Sequence, residues 1–128
     1  MKKRSVIVFA VAAGLLTTVP LVAHHTAATL YTEKTITLKG TVTTWRWSNP
    51  HCLLTIDVKG EDGQVVQWIA ETQAPNTAYT EGYRSSSFKA GDEVTITLRP
   101  ASNGGAFGLL TQAVLPDGTK LGGREAAR

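Results

Sequence analysis

A chain of 128 residues, 42% hydrophobic and 18% charged, has room for one domain with one modest core. Its net charge of +3 sits at the very start, in Lys2, Lys3 and Arg4; from His24 onward, ten basic residues face ten acidic ones. That balance, without a clustered basic face, excludes a general nucleic-acid binder, and the single cysteine, Cys52, excludes an internal disulfide.

The charged head runs into an unbroken apolar stretch at residues 6–16, and Val19-Pro20-Leu21-Val22-Ala23 ends on a small residue. This is the layout of a secretory signal peptide. A membrane-crossing helix needs about twenty apolar residues, more than this run supplies. Residues 1–23 are therefore expected to be a signal peptide cut after Ala23. The product would be periplasmic or secreted and free of the membrane, and residues 24–34 would form a lead-in.

The first predicted strand covers residues 35–47, with Ile36, Leu38 and Val42 on one parity and threonines on the other. Gly40 falls on the apolar parity, the usual mark of a bulge or a barrel corner. Ser48-Asn49-Pro50 is turn chemistry. The second strand, residues 52–59, alternates Cys52, Leu54, Ile56 and Val58 inward, so Cys52 is expected in the core, while His51 points away from it. Gly60-Glu61-Asp62-Gly63 turns the chain into a third strand, residues 65–72. There Val66, Trp68 and Ala70 share one face, and Gln67, Ile69 and Glu71 the other.

Pro75 and Gly82 bracket a short helix over residues 76–81. A turn at Ala90-Gly91-Asp92 opens the fourth strand, residues 93–99, with Val94, Ile96 and Leu98 inward. Asn103-Gly104-Gly105 leads into a fifth at 106–115, and Pro116-Asp117-Gly118 into an edge piece at 119–121, with 122–128 a flexible tail. Five strands with a helix between the third and fourth predict an OB-like β-barrel over residues 35–121, five- to six-stranded. An open antiparallel sandwich is the alternative.

Several segments carry a resemblance: His24-His25-Thr26, Leu38-Lys39-Gly40-Thr41-Val42, Trp47-Ser48-Asn49-Pro50-His51, Trp68-Ile69-Ala70-Glu71 and Leu115-Pro116-Asp117-Gly118. Together they resemble a family of small secreted bacterial proteins catalogued as a domain of unknown function. The family usually has serine where Thr26 stands and tryptophan where Tyr83 stands. The resemblance implies a small secreted β-barrel and no particular reaction.

His24, His25 and His51 are all the histidines of the chain. A cut after Ala23 would give His24 a free amine beside its ring, and one more imidazole would complete a nitrogen set suited to Cu(II). Zinc fits less well, because its sites draw on more fixed ligands. Glu71 would stand behind the imidazole and orient it, or else pair with Arg46 at the surface. A second reading, from another class, uses Trp45, Trp47 and Tyr83 as an aromatic surface for a glycan or a small hydrophobic molecule, with no metal; core packing, with a bulge turning one of the outward-parity tryptophans inward, is the reading favoured for Trp45 and Trp47. No nucleophile–base pair, paired carboxylates or phosphate loop is recognisable, and copper redox catalysis would need an electron source. The expectation is binding, not catalysis. Exported protein should begin at His24, which intact-mass analysis reads directly; any other start would remove the terminal amine from the ligand set.

Overall fold

The computed structural model describes residues 30–123. The proposed signal peptide, His24, His25 and residues 124–128 lie outside them. Among the described residues, six strands and one named helix follow in the order β1 (Ile36–Arg46), β2 (Leu53–Lys59), β3 (Val65–Glu71), α1 (Pro75–Thr80), β4 (Glu93–Pro100), β5 (Phe107–Val114) and β6 (Lys120–Gly122).

Antiparallel pairing runs β3-β2-β1-β4-β5-β6, and a parallel β3–β5 pairing closes the first five into a barrel. The five- to six-stranded OB-like barrel is thus the observed fold, and the open sandwich is not. Inside lie the residues that the period-two pattern selects: Leu54, Ile56, Ala70, Ile96 and Leu98 are fully buried, and Cys52 with them. Burial also raises the pKa of the Cys52 thiol, as for a packed side chain rather than a reactive one.

α1 starts as Pro75 dictates, with the proline at its first position, although Ala74 supplies no side-chain cap. The helix contributes fully buried Ala78 to the core, and the segment after it adds Tyr83 and Phe88.

Local departures from regular pairing shape the barrel, including a register shift in β4–β5 between Thr97 and Leu98. The bulge lies at Thr43, between the pairs Val42↔Ile56 and Thr44↔Thr55, and not at Gly40. One extra residue reverses the parity of everything after it, so Trp45, directly opposite inward-facing Leu54, turns toward the core with Trp47. Gly40 serves close approach instead: a Cβ there would lie 2.7 Å from the Asp57 carbonyl oxygen. At the other end of the sheet, the β2–β3 hairpin extends past the closure. β3 meets β5 only over Ile69–Glu71, which leaves Val65 and Val66 58% and 48% exposed.

The closure depends on small residues. Gly108 pairs with Ala70 on β3 and Pro100 on β4, and a Cβ on it would sit 2.5 Å from Leu98 Cδ1 and 2.7 Å from the Arg99 carbonyl oxygen. Backbone cannot yield as a flexible side chain would. Gly108→Ala should therefore destabilise the fold by about 1–3 kcal/mol, seen as a fall in Tm of at least ~4 °C. An unchanged Tm would mean the closure has slack that this packing does not show.

Candidate functional site

β2–β3 pairing continues one step beyond the strands: the Thr72 N–H donates to the Cys52 carbonyl (2.9 Å) and the Cys52 N–H to the Gln73 carbonyl (3.1 Å). This rung fixes His51 at the end of β3. Alternation sends Cys52 inward, so His51 faces out, on the same side as Leu53 and its partner Glu71. The His51 Nδ1 lies 2.7 Å from Glu71 Oε1. Glu71 thus stands behind the imidazole, and the pairing with Arg46 that the sequence also allowed is not the one made.

A carboxylate only accepts, so in the neutral ring Nδ1 carries the proton and Nε2 the lone pair. The His51 side chain is 46% exposed and that of Glu71 19%.

The Tyr31 side chain lies on the same cleft as Glu71, near enough for the carboxylate to act on its hydroxyl. Tyr31 is buried, stacks on Phe107 with ring centroids 5.9 Å apart, and pairs with Ala101 in an isolated bridge. The lead-in around it is stitched down: the Thr32 N–H reaches the Pro100 carbonyl (2.8 Å), the Ser102 N–H the Leu30 carbonyl (2.9 Å), and Arg99 Nε the Thr32 carbonyl (2.7 Å).

His51, Glu71, Tyr31 and Phe107, with Leu30 and Asn103, border a cleft of about 560 Å³. Its walls are the β1–β2 turn and the β4–β5 turn, where OB-folds bind their ligands. The sequence reading missed Tyr31, Leu30, Asn103 and Phe107. An isolated bridge leaves no alternation to read, and the one signal was the Leu30-Tyr31 pair in a lead-in without strand pattern.

The aromatic trio is arranged differently from a shared surface. Tyr83 is 1% exposed, with its hydroxyl directed at the Leu121 carbonyl (3.4 Å). Trp45 meets Phe88 edge-on at 5.0 Å and Trp47 at 5.8 Å, and its indole N–H donates to the Arg84 carbonyl (2.9 Å). The bulge has made Trp45 a packing residue, and the segment after α1 buries Tyr83. Among the described residues, no group of three His, Cys, Asp or Glu side chains could hold a metal ion, and no helix is long and apolar enough to cross a membrane.

The profile of a family of unknown function (DUF6152) matches residues 13–112, most of the chain. The chain belongs to that family. The DUF6152 match takes in His51, Glu71, Tyr31 and Phe107, and ends before β6. No curated protein and no solved structure matches the chain. DUF6152 membership therefore carries a family but no reaction or ligand.

Burial first, and then the neighbouring Glu71 carboxylate, push the Tyr31 hydroxyl from 10.0 up to about 12. The folded state holds the neutral phenol, so this contribution to stability is complete below pH 10.0 and is lost as pH rises through about 12. Glu71→Gln removes the charge and leaves the burial. Tyr31 should then ionise at a lower pH than in the parent, but still above 10.0, by ultraviolet difference titration. An unmoved midpoint would show that Glu71 does not govern Tyr31.

Proposed function

We propose that the chain is exported, trimmed after Ala23, and acts as a periplasmic or secreted copper-binding module. His51 would supply one imidazole, and His24, with its free amine, and His25 the remaining nitrogens. The observation that supports this is the 2.7 Å contact between His51 Nδ1 and Glu71 Oε1. A carboxylate on one ring nitrogen fixes the tautomer, strengthens the other nitrogen as a ligand and aims it, as at many protein metal sites.

Chain geometry allows the rest. Leu30 borders the cleft, and His25 lies only five residues upstream, a span of up to about 17 Å when extended. Three nitrogens arranged in this way suit Cu(II), and the terminal amine deprotonates readily enough near neutral pH to take part.

Copper affinity by competition titration on protein beginning at His24 tests the reading. His51→Ala and a residue added before His24 should each weaken binding by more than ~10-fold while circular dichroism stays parental, and Glu71→Gln should cost ~10–100-fold. The first two remove different ligands of one site, so together they should do little more than either alone. Parental affinity in both would end the copper reading.

A further inference from the structure

The cleft has properties that a metal ion leaves unused. One wall is apolar: Leu30 is 55% exposed at its rim, and Phe107 backs it, stacked on Tyr31 at an interplanar angle of 23°. A concave site of about 560 Å³ lies within the ordinary range for small molecules, and an aromatic wall favours a flat apolar body.

The polar groups narrow the choice. Glu71, its carboxylate partly exposed, repels an anion. Asn103 Oδ1 is already engaged by the Gly105 N–H (3.0 Å). His51 donates its Nδ1–H to Glu71, so the neutral ring offers Nε2 as an acceptor. The fitting partner carries a hydrogen-bond donor on an aromatic ring and no negative charge.

We infer that the cleft binds a small uncharged phenol, its ring against Phe107 and Leu30 and its O–H donated to His51 Nε2. The site shares one imidazole with the copper reading but does not rest on it, since the metal-free protein already has every group required.

The test uses chelator-treated protein beginning at His24 and three probes followed by amide chemical shifts. These are p-cresol, 4-methylanisole (no O–H) and 4-hydroxybenzoate (a phenol with a negative charge). p-Cresol should move Tyr31, His51, Asn103 and Phe107 with a Kd at or below about 1 mM, a modest yield for a ligand of its size. The other two should bind roughly tenfold more weakly or worse, one for its missing hydrogen bond and one for its charge.

Leu30→Ser, an exposed position whose change leaves the fold intact, should weaken p-cresol. His51→Ala should erase the preference for p-cresol over 4-methylanisole. Equal binding of p-cresol and 4-methylanisole to the parent, or no shifts at these four residues, would overturn the inference. A residue added before His24 should leave p-cresol binding unchanged, so failure of the copper reading and failure of this one are told apart.

Discussion

Barrel closure rests on three parallel pairs, Ile69↔Phe107, Ala70↔Gly108 and Glu71↔Leu109. The middle pair is buried and small, which lets the two backbones come together over the core. Its neighbours alternate outward. The step that closes the barrel therefore also lays Phe107 beside β3 and leaves Glu71 facing the cleft. Core and site are two sides of one ladder.

Glu71 then does for the surface what Ala70 and Gly108 do for the interior. It accepts from His51 on the β1–β2 turn and lies beside Tyr31 of the lead-in in one cleft, and so brings together three stretches of chain distant in sequence. Partial removal from water strengthens such contacts relative to fully solvated ones. The lead-in is held by backbone bonds to the β4–β5 region as well, so the cleft has a built wall at Leu30. Segments that local propensity would leave loose are fixed by one carboxylate and a few carbonyls.

What the sequence disclosed follows the period of the interaction. β2 and β4 were legible because Cys52, Leu54 and Ile56, and Val94, Ile96 and Leu98, repeat every second residue and all prove buried. The family was legible in short motifs such as Asn49-Pro50-His51. The bulge was not. Thr43 and Thr44 are alike in shape and polarity, so nothing marks which is the extra residue, and the tryptophan parity after them cannot be counted. Glu71 could be placed near His51 because both lie at the meeting of β2 and β3. Tyr31 could not, because its contact with Glu71 spans forty residues and no pattern links the two.

The overhanging β2–β3 hairpin has a consequence for behaviour at high concentration. Among the described residues, β3 before Ile69 has a partner on one side only, so its other side presents backbone groups that none of them pairs, next to two exposed valines. Such an edge is a template for an added strand, and proteins keep it solitary by placing charge nearby. Here Lys59, Glu61 and Asp62 surround the turn and are all exposed. The solubility of this barrel is thus guarded by three charged side chains at a tip that takes no part in its core.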